Sequence, residues 1–504
     1  MNDDAQSLPN NIEQLKAMLL AERKQSANQA ARLQFLEEQF RLAQQQRFGV
    51  RSEGHPAQGD LFNEVEVVLD EVLATVESTP AVVKKKPVRQ KLPKTLEREI
   101  IIHDLSDTEK TCDCCGESLH PMGESRSEKL EFIPAKVKVI EHVRLKYSCR
   151  TCEKEGVSTH VKSARVPLSP IPKGFATPSL LSQIITSKYQ YALPLYRQES
   201  LFKQYGIALS RQTMSEWMMK CSELFKPLYE QLKKTLLQQY VIQADETTLN
   251  VINEDKAKCY MWLYCTGSDT PVHSDVPNIV LFDYQSSRAG QCPVDYLNGY
   301  TGYLQVDGYA GYEKTQATLA GCWAHARRKF KEADIAQPKG KTGKANMALS
   351  HIQKLYRLET QIKDKTAQEK YQQRQEKAKP ILVQFYQWLE KANVPPKTAL
   401  GKAIQYCKNQ RHKLSRYIEN GELSIDNNRA ERAVKPFVIG RKNWLFSNTA
   451  NGANTSAMLY SMIETAKAND LVPFDYLMHC LEQLTNSTLD INALLPWNVK
   501  LNKV

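Results

Sequence analysis

Three acidic residues stand where metal-dependent chemistry on phosphates would need them. Asp245 lies within a predicted strand, Asp307 lies at the end of a later strand, and Glu431 lies on a predicted helix. Mg²⁺ prefers oxygen ligands, and clustered carboxylates repel one another until a divalent cation binds. Two such ions about 4 Å apart can activate an attacking oxygen and stabilise the leaving oxygen in a phosphoryl displacement. We therefore expect these three carboxylates to hold two Mg²⁺ or Mn²⁺ ions.

Other acidic residues compete for these roles, because the chain contains 56 of them. Asp283, near the end of another predicted strand, is the alternative to Asp307. Asp426 is the alternative to Glu431, although its place at the start of a helix is also explained by capping. Glu246 is expected to point away from Asp245, because side chains alternate along a strand.

The elements that must position these carboxylates follow from a change of periodicity near residue 240. The stretches 240–252, 257–267 and 278–284 read as three successive strands, 286–297 as a helix, and 302–312 as a fourth strand that ends in a turn. This order is typical of the opening of the ribonuclease H fold. Polar, helix-forming sequence from about 327 to 421 predicts an all-helical insertion, and helical spacing returns in the final segment.

The N-terminal part of the chain predicts self-association. From Ile12 to Ala43, a three-four spacing carries apolar residues interrupted by a polar middle, Glu22, Ser26 and Gln29. Such a seam buries its side chains only against another helix, so a homo-oligomeric coiled coil is expected. A helix packed on its own domain is the alternative.

Two C-x2-C knuckles indicate a structural zinc site. Their cysteines are Cys112, Cys115, Cys149 and Cys152. Strand-like sequence between the knuckles suits a zinc ribbon, in which four thiolates surround one Zn²⁺ ion. Cys114 lies within the first knuckle and is a competing ligand.

A helix, a turn containing Gly206 and a second helix capped by Ser210 follow between about 195 and 225. This pattern resembles a helix-turn-helix, whose second helix can enter a major groove of DNA. Two packed helices without a nucleic-acid role are the alternative.

Composition bounds the rest of the interpretation. A chain of 504 residues predicts several domains, and a net charge of +12 favours a polyanionic partner such as nucleic acid. We find neither a signal-peptide pattern nor an apolar run long enough to span a membrane, so a cytoplasmic, nucleoid-associated protein is expected. Nucleotide hydrolysis is not expected, because the sequence has no P-loop motif.

Several long motifs together resemble the transposases of the bacterial insertion sequence 66 family. They are "QADET", "VDGYAGY", "GCWAHARRKF", "IDNNRAERAVKPFVIGRKNWLFSN", "SMIETAKAND" and "LLPWN". The resemblance runs over nearly the whole chain. Thr248 stands where family members often have proline, and Cys114 is likewise unusual.

This resemblance implies a DDE transposase that binds the double-stranded DNA of element ends and target. In it, Asp245, Asp307 and Glu431 match the metal-binding acids, and water releases a 3′ hydroxyl that then attacks target DNA. Proteins encoded by the same element are further candidate partners. His325, in "CWAHARRKF", is not assigned to the catalytic set.

The basic residues around Glu431 are expected to hold the phosphates of the DNA. They are Arg429, Arg432, Lys435, Arg441 and Lys442. Pro436 is expected to end the helix that carries Glu431 and to turn the chain into a basic segment.

The predicted fold is a multidomain α/β protein. Its parts are a coiled-coil helix (1–50), an acidic segment and basic linker (51–108), a zinc-binding domain (109–160), a helical region (161–238), a ribonuclease H-like catalytic core (239–450) and C-terminal helices (451–504). Two functions remain as alternatives: a catalytically silent DNA-binding protein, and a ribonuclease H-like nuclease without strand transfer.

Overall fold

The first helix, α1 (Ile12–Phe48), is continuous over 37 residues and leaves its apolar seam exposed. The computed structural model describes residues 11–48, 99–100, 136–147, 162–166, 168–256, 258–266, 277–337, 343–485 and 490–501. The chain divides into one unit of residues 51–142 and another that contains the remaining residues. In the smaller unit, the described residues contain no helix or strand.

On the side opposite its apolar seam, α1 contacts other residues of the larger unit, to which it belongs. Glu38 is only 9% exposed, and its Oε2 accepts a hydrogen bond of 3.1 Å from the backbone N–H of Ala399. Glu38 occupies the heptad position farthest from the predicted seam. The seam residues Leu15, Leu19, Leu33, Leu36 and Phe40 all remain exposed. The seam therefore takes no part in this contact, and self-association through it stays a prediction.

A two-stranded antiparallel ribbon, β1 (Lys146–Tyr147) with β2 (Lys162–Ser163), precedes three helices. The helices are α2 (Pro178–Tyr189), α3 (Leu195–Gln204) and α4 (Arg211–Leu237). The predicted cap of α4 is present, since Ser210 Oγ accepts from the backbone N–H of Thr213 at 3.1 Å. Gly206, in the turn before it, has a φ of +75°, which suits a residue without a Cβ.

A five-stranded mixed sheet lies at the centre of the larger unit, in the order β5-β4-β3-β6-β7. The strands are β3 (Val241–Asn250), β4 (Lys258–Cys265), β5 (Val280–Gln285), β6 (Tyr303–Gln305) and β7 (Thr318–Ala320), with α5 (Gln291–Tyr296) between β5 and β6. The first three strands form an antiparallel meander, as predicted, while β6 pairs parallel to β3 and β7 parallel to β6. β7 was not predicted from the sequence, because its three residues are flanked by no further apolar alternation.

Helices follow β7 and build a second hydrophobic core. They are α6 (Trp323–Ile335), α7 (Lys344–Gln361), α8 (Ala367–Gln373), α9 (Lys379–Lys391), α10 (Ala399–Asn409) and α11 (Arg411–Ser415). Arg374 is buried in this core, where its guanidinium pairs with both carboxylate oxygens of Glu359 and donates to the carbonyls of Tyr417 and Asn420. These contacts join α7, which carries Glu359, to the residues that follow α11.

Three C-terminal helices follow, and the first two of them pack on the sheet. They are α12 (Asn428–Trp444), α13 (Ala450–Ala468) and α14 (Pro473–Gln483). α13 covers the outer edge of β5, because Thr465 Oγ1 both accepts from the N–H of Val280 and donates to its carbonyl, and Ser461 Oγ accepts from the N–H of Phe282. This arrangement satisfies backbone groups that an exposed strand edge would leave unpaired.

The prediction that Pro436 ends a helix is wrong, because α12 continues through Pro436 to Trp444. Proline removes one backbone donor from a helix, a loss that local packing can offset. On either side of it, Val434 and Phe437 are buried in the sheet core. Burial of this apolar face therefore holds the helix together across the proline.

Within the described residues, no helix combines the length and the apolar character that crossing a membrane would require.

Candidate active site

Asp245 and Asp307 are brought together by the parallel pairing of β3 and β6. The register of this pair runs to Gln243 opposite Gln305, and each aspartate follows its glutamine by two residues. Side chains two residues apart along a strand lie on the same face, and neighbouring strands are about 4.8 Å apart. The register therefore brings the two aspartates near each other, and the negative charge of Asp307 acts on Asp245.

Asn427 fixes the first turn of α12 against β3. This residue is 1% exposed, and its Nδ2 donates a hydrogen bond of 2.8 Å to the carbonyl of Ala244. Its backbone N–H points to the Sγ of Cys322 at 3.2 Å. Glu431 lies one helical turn further along, with its N–H bonded to the carbonyl of Asn427. The anchor thus places Glu431 next to the residue that follows Ala244, Asp245.

Burial and mutual repulsion raise the pKa of Asp245. Desolvation has the largest effect, the negative charges of Glu246, Glu431 and Asp307 add to it, and a hydrogen bond from the backbone N–H of Glu246 opposes it. Together they raise the pKa of Asp245 from 3.8 to about 8. Without a cation, the site is therefore stabilised by keeping a proton on this carboxyl at neutral pH.

His325 and Arg328 of α6 face Glu431. The Nδ1 of His325 lies 3.6 Å from Glu431 Oε1, and the guanidinium of Arg328 lies 3.6 Å from Glu431 Oε2. Burial lowers the pKa of His325, and the nearby Arg328 charge acts in the same direction against the opposing charge of Glu431. The structure therefore places His325 beside the carboxylates, although it was left out of the predicted set.

The potential metal-ligand atoms around Glu431 fit a cation. Glu431 Oε1, Asn427 Oδ1 and His325 Nδ1 are buried and have no hydrogen-bond partner. The ligand atoms of Cys322, His325 and Glu431 lie within 4.8 Å of one another. Burial raises the pKa of the Cys322 thiol to about 12, and sulfur is a softer ligand than Mg²⁺ prefers. Unpartnered oxygens beside clustered carboxylates suit a hard divalent ion.

The competing acidic residues are engaged elsewhere. Asp283 lies on β5, which β4 separates from β3, and its carboxylate accepts from Gln285. Burial raises the pKa of Asp283 to about 6. Asp426 accepts hydrogen bonds from the hydroxyl of Tyr356 and from the backbone and side chain of Asn428. The latter contacts are those expected of an acidic residue at the start of a helix.

Glu246, the neighbour of Asp245, has its own partners. Its carboxylate accepts from Arg288 and from the hydroxyl of Tyr312, which lies 2.6 Å away. Burial raises its pKa, while these two hydrogen bonds oppose the rise. Glu246 therefore serves as a buried link between β3 and the turn after Asp307, and its negative charge acts on the neighbouring Asp245.

The five basic residues named from the sequence fall into different environments. Arg429 is 9% exposed and donates to the carbonyl of Thr266 and to Asn278. Arg441 is half-buried and donates to the hydroxyls of Thr247 and Thr248. Arg432 and Lys435 are half-buried, and Lys442 is exposed. Arg429 thus lies in the interior, while the other four remain accessible in part.

Sequence reasoning did not identify Asn427 as a positioning residue. Its only signal was its place in "DNNRAE", where three neighbouring asparagine and aspartate side chains all suit a helix start. The contact with Ala244 joins positions 183 residues apart, and no local pattern predicts it.

Comparison with protein families identifies the chain. A family model described as "Transposase IS66 family" matches residues 173–455, more than half of the chain. A zinc-finger binding domain of transposase IS66 matches 109–153, a model described as "Transposase C of IS166 homeodomain" matches 35–101, and an IS66 C-terminal element matches 461–497. By class, these matches define a transposase. The chain belongs to the IS66 family of transposases.

The relatives extend over nearly the same length. The uncharacterized protein y4qI of Sinorhizobium fredii (strain NBRC 101917 / NGR234) is 32% identical, with 98% of each chain covered. The uncharacterized protein y4hP of the same organism is also 32% identical, over 87% of this chain and 81% of its own. No solved structure matches the chain. The predicted zinc ligands lie outside the described residues, and all four are within the zinc-finger match. They are Cys112, Cys115, Cys149 and Cys152.

The raised pKa of Asp245 predicts a pH-dependent effect on stability. Between about pH 4 and pH 8 the folded protein holds a proton that the unfolded chain has released, so stability falls as pH rises. Asp245→Asn removes this loss, which amounts to at most about 1.4 kcal/mol for each unit of pKa shift. We expect the melting temperature of the variant, measured in EDTA, to exceed that of the wild type by more at pH 8 than at pH 5.

Asp295→Asn is the matched control for this measurement. Asp295 is exposed on α5, so no comparable burial acts on its carboxylate. A difference in melting temperature for Asp245→Asn that is equal at pH 5 and pH 8 would show that the carboxylate is not forced into its protonated form.

Proposed function

We propose that this protein is a DDE transposase that cleaves DNA at the ends of its element and joins them to target DNA. The observation that carries the proposal is the convergence of Asp245, Asp307 and Glu431 from two parallel strands and a distant helix. In this proposal the three carboxylates hold two Mg²⁺ or Mn²⁺ ions. When bound, such ions would supply Lewis-acid activation of the attacking oxygen and stabilise the leaving oxygen.

The order of the strands supports a ribonuclease H-like core. The antiparallel meander is extended by two parallel strands on the far side of β3. As a result β3, the first strand of this sheet along the chain, is its central strand. This order agrees with the fold expected from the sequence. It also gives the reason for the position of Asp245, since only the central strand can have Asp307 beside it and α12 across it.

Other residues of the chain would hold the carboxylates in place. Asn427 fixes Glu431 relative to β3, and His325 and Arg328 limit the orientations of the Glu431 side chain. Because the site is largely buried, such restraint would keep the oxygens converged before a ligand enters. We propose His325 as a positioning residue on this basis.

The basic residues of α12 would bind the phosphates of the DNA. We assign Arg432, Lys435, Arg441 and Lys442 to this surface, since all four retain some exposure. Arg429 is left out, because its guanidinium is buried and holds Thr266 and Asn278. Phosphate contacts of this kind would supply affinity that falls as the salt concentration rises.

The N-terminal parts would assemble the protein on its DNA. We propose that α1 self-associates through its exposed seam, that the two C-x2-C knuckles bind one structural Zn²⁺, and that the α3–α4 region contributes a helix-turn-helix contact. These proposals agree with the zinc-finger match and with exposure of the seam residues.

Substitution of the carboxylates tests the reaction. We expect Asp245→Asn, Asp307→Asn and Glu431→Gln each to reduce both cleavage of labelled end DNA and joining to a target plasmid below detection, because each removes a metal-binding charge while nearly preserving shape. Asp283→Asn and Asp426→Asn are the matched controls and should retain activity. DNA binding by all five variants should persist.

Three results would contradict the proposal in different ways. Activity of all three carboxylate variants would eliminate the DDE mechanism. An active Glu431→Gln with an inactive Asp426→Asn would mean that the third acid is misplaced. Cleavage by the wild type without any joined product would identify a nuclease that lacks strand transfer.

Elemental analysis tests the zinc proposal. The wild-type protein should contain one Zn²⁺ per chain, and Cys115→Ser or Cys149→Ser should lose it, because a structural site needs four ligands. Cys114→Ser is the matched control and should keep the ion. Loss of zinc from Cys114→Ser with full retention in Cys115→Ser would reassign the first knuckle.

Measurement of mass in solution tests self-association through α1. Leu33→Asp combined with Leu36→Asp should reduce the assembly to a smaller multiple of the chain mass, since charges at the seam oppose burial. Leu20→Asp is the matched control, because Leu20 is also exposed but lies outside the seam. An unchanged mass for the double variant would mean that another surface assembles the protein.

A further inference from the structure

The turn that follows α12 holds a leucine in a strained backbone conformation. Leu445 has a φ of +66° and a ψ of −46°, and the N–H of Phe446 bonds across it to the carbonyl of Trp444 at 2.9 Å. This is a γ-turn of the rare, strained form with positive φ. Glycine would adopt it without a steric penalty, so Leu445 carries a backbone strain that glycine would not.

Contacts on both sides make this turn rigid. The N–H of Leu445 bonds to the carbonyl of Arg441 at 2.7 Å, and the N–H of Ser447 bonds to the carbonyl of Asn250 at the end of β3 at 2.9 Å. The two side chains of the turn nevertheless face solvent, with Leu445 62% exposed and Phe446 44% exposed. A fixed backbone therefore presents two large apolar groups at the surface.

A second strained turn lies beside the first. Asn443 Nδ2 donates a hydrogen bond of 3.2 Å to the carbonyl of Ala192, whose φ is +54°. The residue before it, Tyr191, is 68% exposed. Two turns from distant parts of the sequence, each with a positive-φ residue that is not glycine, are thus linked by one side chain. We call the exposed residues Tyr191, Leu445 and Phe446 the aromatic tip.

The charge around the aromatic tip indicates its partner. Arg441 and Lys442 precede the aromatic tip directly on α12. The same helix carries a third cation, Lys435, between them and Glu431. An apolar protein partner would not account for this line of cations, whereas DNA combines a phosphate backbone with apolar base faces. Leucine and phenylalanine are side chains that insert between base steps.

The length of α12 sets the distance from the carboxylate site. Glu431 and Leu445 are separated by 14 residues, which corresponds to roughly 20 Å along a helix. If α12 lies parallel to the duplex axis, this length spans about six base pairs. We propose that the aromatic tip inserts into DNA and binds unpaired or unstacked bases about six base pairs from the carboxylate site. This inference rests on the proposed function, because it takes DNA as the substrate.

Binding to two DNA probes in EDTA tests this inference without any cleavage. One probe is a labelled duplex of about 30 base pairs, and the other is the same duplex with about six mismatched pairs at its centre. We expect the full-length wild-type protein to bind the mismatched probe at least about tenfold more tightly, since stacking on side chains is favourable and the bases are already unpaired. Fluorescence anisotropy measures both affinities.

Three variants separate the aromatic tip from general DNA binding. Phe446→Ala should reduce the preference for the mismatched probe by about fivefold or more, and Lys442→Ala should weaken both probes equally. Leu445→Gly should reduce the preference while leaving the melting temperature equal or higher, because glycine relieves the strain. Tyr371→Ala, at another exposed tyrosine in the helical insertion, is the matched control and should leave the preference unchanged.

The outcomes distinguish this inference from the proposed function. Equal affinity for the two probes, or a preference that both Phe446→Ala and Leu445→Gly leave intact, would overturn the inference alone. A loss of preference in Leu445→Gly that accompanies a fall in melting temperature would assign a structural role to the turn and would also overturn it. Failure to bind either probe would overturn the proposed transposase function as well.

Discussion

The burial of Asp245 beside other carboxylates is the constraint on which the central part of this protein depends. Desolvation is the largest cause of the raised pKa of Asp245, and the negative charges of Glu246, Glu431 and Asp307 add to it. The fold holds these carboxylates together by strand pairing and by one hydrogen bond from a side chain to the backbone. Parallel pairing brings the two aspartates near each other, and the Asn427–Ala244 hydrogen bond sets the helix that carries Glu431. A bound divalent cation would relieve the repulsion among these carboxylates.

One helix performs several of the tasks that this arrangement needs. α12 begins at the Asn427 anchor, packs Val434 and Phe437 into the core, and pairs Arg441 with the hydroxyls of Thr247 and Thr248. It therefore runs beside β3 and is fastened to that strand at both ends. The contact of Arg441 with Thr248 gives a role to the hydroxyl of that threonine.

Two of the positions with strained backbone lie next to this rigid element. Leu445 and Ala192 hold positive φ values where the end of α12 meets the loop after α2, and backbone hydrogen bonds keep Leu445 in place. Strained backbone persists only where the surroundings enforce it. A strand and a helix joined along their length can enforce it, and a mobile loop could not. The same rigidity that positions Glu431 therefore also positions the exposed side chains at the opposite end of the helix.

The sequence by itself determined the elements and the types of residue that carry the chemistry. The three meander strands, the helix after them, the cap at Ser210 and the family could all be predicted, because periodicity, capping and long motifs are local properties of the chain. The three acidic residues proposed here were likewise named from the sequence. Pro436 shows the limit of local rules, since burial of Val434 and Phe437 outweighs the helix-breaking effect of the proline.

Only the tertiary structure decided how the polar residues divide their roles. Arg429 and Arg432 are three residues apart and chemically identical, yet Arg429 turns into the interior while Arg432 remains half-buried. Asp426 and Glu431 both looked suitable as a ligand, and hydrogen bonds from Tyr356 and Asn428 occupy Asp426. The partners in these contacts lie tens to hundreds of residues away along the chain, with Asn428 as the local exception. Burial and hydrogen bonding at such separations depend on packing, which no local pattern in the sequence records.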